Sequence, residues 1–268
     1  MTYSNLPEAV LSAIRSGDLT QLQELHRSDM SLDQIAQQAA RDKQPQILEW
    51  CYAQGWAPPP ESLNNRFFLA ALTGASPAIF QVLVDHGWDL NAHESEACGD
   101  ALASAVMDGY YDFAKWLLEH GHRATPHDPV HGPSAISTTV RGEMASIEML
   151  KLLLDYGFEL KESGAGVAAA DEGNLEALRL LLDHGVDTED REMWWYPFDD
   201  DNDEPSESQG TALYRACRQG QLECVRLLLD RAADAQAKDD GGTSCIGIAR
   251  KRGHQDIVEL LEERGVTE

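Results

Sequence analysis

Four histidines, His120, His122, His127 and His131, fall within twelve residues of a proline-containing stretch. Imidazole is a ready zinc ligand, and catalytic zinc sites use three protein ligands. His120, however, ends a phrase that returns with His86 and His184 in the same position, so it belongs to a pattern and not to a ligand set. The other three have no acidic or cysteine ligand at a recognised spacing. Asp199-x-Asp201-x-Asp203 opens like a calcium loop, whose first oxygens come from alternating carboxylates. Its sixth position is Glu204 instead of glycine, and its twelfth is Gly210 instead of a bidentate glutamate. The chain holds no HExxH, GxSxG or phosphate-cradling glycine loop. Its five cysteines, Cys51, Cys98, Cys217, Cys224 and Cys245, are odd in number and form no CxxC pair, which suits buried thiols in a reducing compartment. No catalytic residue, metal or cofactor is expected.

The elements that carry these groups recur. Val82-Leu83-Val84-Asp85-His86-Gly87 returns as Trp116-Leu117-Leu118-Glu119-His120-Gly121, as Leu152-Leu153-Leu154-Asp155-Tyr156-Gly157 and as Leu180-Leu181-Leu182-Asp183-His184-Gly185, with closing glycines 34, 36 and 28 residues apart. Self-similarity at such a period marks stacked supersecondary units, none of which can bury its apolar face without neighbours. The fullest unit begins Ala168-Ala169-Ala170-Asp171-Glu172-Gly173-Asn174. The alanines suit a short helix packed closely on the next unit, and Gly173 suits a turn between antiparallel helices. Leu175, Leu178, Leu181 and Leu182 mark one face of a second helix that should stop at Gly185.

This pattern resembles the ankyrin repeat. The resemblance covers nearly every residue and implies an all-α solenoid of helix-turn-helix units with projecting finger loops, here about eight. A single domain over residues 1–268 is expected. Residues 1–60 hold degenerate N-terminal repeats, the fifth repeat is lengthened at Arg141-Gly142-Glu143, and residues 242–268 form a capping repeat with a charged Glu262-Glu263-Arg264 end. The two positions before each inter-helix glycine face a concave groove in the family. They are Met107 and Asp108, Asp171 and Glu172, Arg218 and Gln219, and Lys251 and Arg252.

The formal net charge of −25 argues against nucleic-acid and anionic-membrane surfaces and favours a partner with a basic surface. No window is apolar for long enough to span a membrane, and the N-terminus carries no secretory pattern, so a cytoplasmic or nuclear location is expected. The main departure from the repeat is residues 188–209, where the family needs only a few. Trp194, Trp195, Tyr196 and Phe198 lie there beside an acidic run, and residues 187–207 hold ten carboxylates and one arginine, Arg191. Long loops without repeat structure carry function or disorder, and exposed tryptophan and tyrosine anchor interfaces. The same rings could instead fold back to cover the edge between two repeats. The acidic run could also dock in cis on the basic last two repeats, which hold Arg215, Arg218, Arg226, Arg231, Arg250, Lys251 and Arg252. Finally, the residue after the helix-ending glycine is Trp56, Trp88, His122 or Phe158 in four successive units, a row that either packs between fingers or lines a pocket.

Three functions fit. The favoured one is a non-catalytic scaffold binding a protein partner through groove and fingers. The others are a small-molecule binder or atypical enzyme walled by Trp56, Trp88 and the histidine loop, and an acidic assembly chaperone shielding a basic client.

Overall fold

The structure, a computed structural model, describes residues 6–58, 66–91, 100–123, 134–142, 145–191, 210–239 and 241–267. The chain divides into two compact units. The first comprises Met1–Ala105 with Tyr110–Arg123, and the second Val106–Gly109 with Ala124–Glu268. Sixteen helices lie among the described residues and pair in chain order as eight helical hairpins. None is long and apolar enough to cross a membrane.

The first unit holds α1 (Glu8–Ser16), α2 (Leu19–Leu25), α3 (Leu32–Arg41), α4 (Pro45–Ala53), α5 (Arg66–Gly74), α6 (Pro77–Asp85), α7 (Ala101–Met107) as far as Ala105, and α8 (Tyr111–Glu119). First helices pack on first helices, α1 on α3 and α3 on α5, while second helices pack in their own layer, α4 on α6 and α6 on α8. The second unit repeats this with α9 (Ala135–Thr138), α10 (Ile147–Asp155), α11 (Ala165–Asp171), α12 (Leu175–Asp183), α13 (Ala212–Gln219), α14 (Leu222–Asp230), α15 (Cys245–Arg252) and α16 (Gln255–Glu263).

Side-chain size explains the layers. In α11 the six residues Ala165 to Ala170 are all buried, because a helix of alanine, glycine and valine lets neighbours close on both of its sides. In α12 the buried residues are Ala177, Leu178 and Leu181, with Leu175 and Leu182 only half-buried, so its apolar stripe is narrower than the leucine spacing suggests. Asn174 starts α12 by accepting the amide of Ala177 at 3.1 Å, and Gly185 in the left-handed conformation ends it.

The turn between the two helices of every hairpin holds a residue with positive φ, as does the turn after every second helix except α2. Between the helices this residue is glycine in six repeats, but Lys43 and Ala75 take the role in the second and third. The second repeat, degenerate in sequence, nonetheless closes like the others. Gln44 N donates to Ala39 O at 2.9 Å, as Asn174 N does to Ala169 O. The fifth departs most. Its first helix has four residues, and Thr138 and Thr139 turn their hydroxyls back onto the carbonyls of Ala135 and Ile136, which competes with helix continuation. The chain regains the pattern only at Ser146, whose amide donates to Thr139 O at 2.8 Å.

Candidate partner-binding site

The groups that sequence reasoning assigned to binding sit at the ends of first helices, just past second helices, and in the sixth finger. In the second unit the exposed helix ends are Met107 (48% exposed), Asp108, Glu172, Lys251 and Arg252, with Arg218 half-buried. These positions lie in the last turn, where carbonyls have no further helical partner and cationic side chains are favoured. Tyr110 and Tyr111 at the start of α8, which sequence reasoning passed over, are also exposed. Their signal was available, since Gly109-Tyr110-Tyr111 stands where other repeats have glycine, a polar residue and leucine.

Asp171 is a correction. Arg215 grips it with two parallel bonds, Nε to Oδ1 at 2.7 Å and Nη2 to Oδ2 at 2.8 Å, and Gln219 adds a third at 3.1 Å. Each side chain of the pair is only 12% exposed. Asp171 therefore joins α11 to α13 and is spent within the chain, because a planar guanidinium from the next repeat reaches it first. Other arginines of the last two repeats are matched in the same way. Arg231 meets Asp183 at 2.6 Å, Arg264 meets Asp230 at 2.8 Å and Arg250 meets Glu262 at 2.7 Å. Much of the positive charge that the sequence concentrates there is thus neutralised locally.

Trp56 is a second correction. The amide after the helix-ending turn donates to a carbonyl in the last turn in all four members of the row, Trp56 N to Cys51 O at 3.0 Å, Trp88 N to Leu83 O at 2.9 Å, His122 N to Leu117 O at 2.9 Å and Phe158 N to Leu153 O at 3.1 Å, which places each residue at the helix cap. Trp56 is 7% exposed and lies 4.8 Å from Phe67, centre to centre. Trp88 keeps half-exposure beside Phe67 and Phe68. Within the row, Trp56 and His122 are buried, while Trp88 and Phe158 keep half-exposure. His122, in the same register, is 4% exposed, and neither ring nitrogen has a partner among the described residues. Trp50 and Trp116 pack in the second-helix layer, against His26 and Phe80.

The sixth finger is built on a regular base. Arg191 pairs with Thr211 in an antiparallel bridge, as Lys238 pairs with Ser244 in the seventh. Thr211 and Ser244 are the helix caps of α13 and α15. Arg191 and Thr211 are thus paired as the base of an ordinary finger is. Asp187 and Asp234 make matching turns, accepting Glu189 N and Gln236 N, both at 2.9 Å. Beyond Arg191, residues 192–209 lie outside the described residues, and with them Trp194, Trp195, Tyr196, Phe198 and the Asp199 to Asp203 run. His127 and His131 lie outside as well. Among the described residues no group of three metal-ligating side chains comes together.

A family model described as ankyrin repeats, in three copies, matches residues 169–267. The human ASB11 ankyrin repeat domain, solved by crystallography, superposes with a TM-score of 0.61 at 21% identity, over 84% of this chain and 96% of that one. The chain has the ankyrin-repeat fold, and residues 169–267 are ankyrin repeats in sequence too. No curated protein sequence matches it significantly.

Titration behaviour in these ankyrin repeats follows burial. Burial pushes the Cys51 thiol up to about 12 and, helped by Glu223, the Cys224 thiol up to about 11. A thiol hydrogen bond with Cys245, together with burial, holds Cys217 well above the ordinary range. These are inert core thiols. The carboxyl of Asp190 is raised, chiefly by burial, although the amide of Glu162 that it accepts pulls the other way.

Proposed function

We propose that the chain is a non-catalytic scaffold that binds a protein partner with a basic surface, using the insertion of residues 188–209 together with the exposed helix ends of the second unit. Ankyrin repeats are protein-interaction modules, and this supports the general class. The observation that carries the finer reading is the base of the sixth finger. Its bridge is regular, so the inserted chain is mounted as an oversized fingertip on an ordered hairpin. That chain brings Trp194, Trp195, Tyr196 and Phe198 as apolar anchors beside seven carboxylates and no cation between residues 192 and 209. Such a composition suits a partner offering arginine and lysine around an apolar pocket, with electrostatics setting on-rate and selectivity and the rings supplying affinity. Glu172, Met107 and Asp108 extend the contact along the helix ends, and Arg218, Lys251 and Arg252 set its polarity at the far repeats. Trp88, on the first unit, is a separate contact point.

The test replaces residues 192–210 by the seventh finger's tip, Asp-Asp-Gly-Gly-Thr, and compares partners captured by the two proteins from a native lysate. Loss of a basic partner with the insertion, and salt-sensitive capture by the intact chain, are expected. An unchanged partner set would refute recognition by the insertion.

A further inference from the structure

We infer that Glu189, Asp190 and Arg191 are positioning residues for the insertion, clamping the base of the sixth finger to the fingers on either side so that the inserted chain leaves from a fixed point. The purpose of the clamp rests on the reading of the insertion given above; its existence does not.

Three consecutive residues reach three different backbone groups. Asp190 Oδ2 accepts the amide of Glu162 in the fifth finger at 3.3 Å. Glu189 Oε1 accepts the amide of Asp234 in the seventh at 2.8 Å. The Arg191 guanidinium donates from Nη2 to the carbonyl of Lys238, also in the seventh, at 2.9 Å. All three side chains act on main chain, so they fix where neighbouring fingers run and not merely which side chains meet. Charged partners make these bonds stronger than neutral ones.

The seventh finger shows what an ordinary finger requires. Between its bridge partners Lys238 and Ser244 lie five residues, and the tip closes on itself through Asp239 N to Thr243 O and Gly242 N to Asp239 O, both at 3.0 Å. At the positions of Asp190 and Arg191 it has Ala237 and Lys238, and at that of Glu189 it has Gln236. In the sixth finger 19 residues separate the bridge partners Arg191 and Thr211. The entropic cost of holding the ends of a loop together grows with its length, so a short tip can hold its own base and a long one is helped by links from outside. The third finger uses such links at the Glu189 position, where Asn91 Oδ1 accepts Arg123 N at 2.7 Å and Asn91 Nδ2 donates to Gly121 O at 3.3 Å. The sixth is tied to the seventh through Glu189 and Arg191 and, through Asp190, to the fifth as well.

The test is hydrogen exchange on the full chain, read at the amides of Glu162 and Asp234 and across the bridge segments around Arg191 and Thr211. Glu189→Ala and Asp190→Ala should each speed exchange at the amide they cover and also at Arg191 and Thr211, by about five- to tenfold, the equivalent of one hydrogen bond. Arg191→Ala should do so at Thr211. Glu189→Gln, Asp190→Asn and Arg191→Lys, which keep an acceptor or donor in place, should restore most of the protection. Faster exchange confined to Glu162 or Asp234, with the bridge unaffected, would overturn the clamp, as would no change at all. A partner set indifferent to removal of the insertion would refute partner recognition there while leaving this result standing.

Discussion

Removing the carboxylate of Asp171 should cost more than any other single change at the helix ends. The perturbation is Asp171→Ala, with Arg215→Ala and the double variant completing a cycle. In the native chain the guanidinium of Arg215 and the carboxylate of Asp171 are each 12% exposed and joined by bonds of 2.7 and 2.8 Å. Taking away one member leaves the other charge largely buried without its bidentate partner, and breaking such a pair typically costs about 3–5 kcal/mol. The remaining exposure lets water reach the stranded group, and Gln219 can turn away, so the lower end, about 3 kcal/mol, applies. Removing both members avoids the stranded charge. The double variant should therefore be less destabilised than the sum of the singles by about 2 kcal/mol, within the range found for residues in contact. Urea unfolding followed by far-ultraviolet circular dichroism measures all four proteins, with the slopes compared to check that the transition keeps its character. A cost below about 1 kcal/mol for Asp171→Ala, or additive single effects, would refute the pair as a structural tie. Asp171 would then return to the candidate partner contacts.

Other outcomes follow from single positions. Ala232 ends α14 at φ +64°, where glycine serves six other repeats, and a left-handed alanine is strained by roughly 1 kcal/mol; Ala232→Gly should raise stability by about 0.5–1 kcal/mol, and a lower urea midpoint would contradict this. His122 is buried with neither ring nitrogen partnered among the described residues, so His122→Phe, which fills a similar shape without polar atoms, should stabilise by about 1–2 kcal/mol, whereas a loss of that size would mean the ring has a partner in the native protein. With Cys51 raised to about 12 and Cys224 to about 11, their thiolates are scarce at pH 8, so alkylation of the native chain should be about a hundredfold or more slower there than at an exposed thiol and should recover in urea. Rapid native labelling at either would show that the second-helix layer opens. Shortening the sixth fingertip from 19 residues between bridge partners to five should stabilise by about 1 kcal/mol through loop entropy, whereas destabilisation of the shortened protein by more than that would show the tryptophans to be part of the core.

Periodicity was enough for the elements. The returning leucine phrase and its glycine located second helices and their ends, and the alanine run of the sixth repeat located a first helix, because close packing and a left-handed cap constrain residue type locally. Where the type constraint relaxes, sequence underdescribed the structure. Lys43 and Ala75 adopt the left-handed turn that glycine marks elsewhere, so the second and third repeats close in the same way with weaker signatures. At the candidate site the outcome is more divided. Met107, Asp108, Glu172, Lys251 and Arg252 are exposed as their register implies. Asp171 shares that register but is held by Arg215, a residue 44 positions on, and Trp56 shares the aromatic row but is buried against Phe67.

The sequence by itself determined the repeat, the number and order of helical hairpins, the place of the insertion and the sign of the chain's charge. All of these follow from spacing and composition within a repeat. Tertiary structure decided that Asp171 and several arginines are spent on neighbours, which aromatics of a repeated row keep surface, and that the base of the sixth finger is paired and tied to the fingers on both sides. Those outcomes depend on which backbone and side-chain groups from the next repeat come within about 3 Å, the reach of a hydrogen bond. Period alone does not encode that distance.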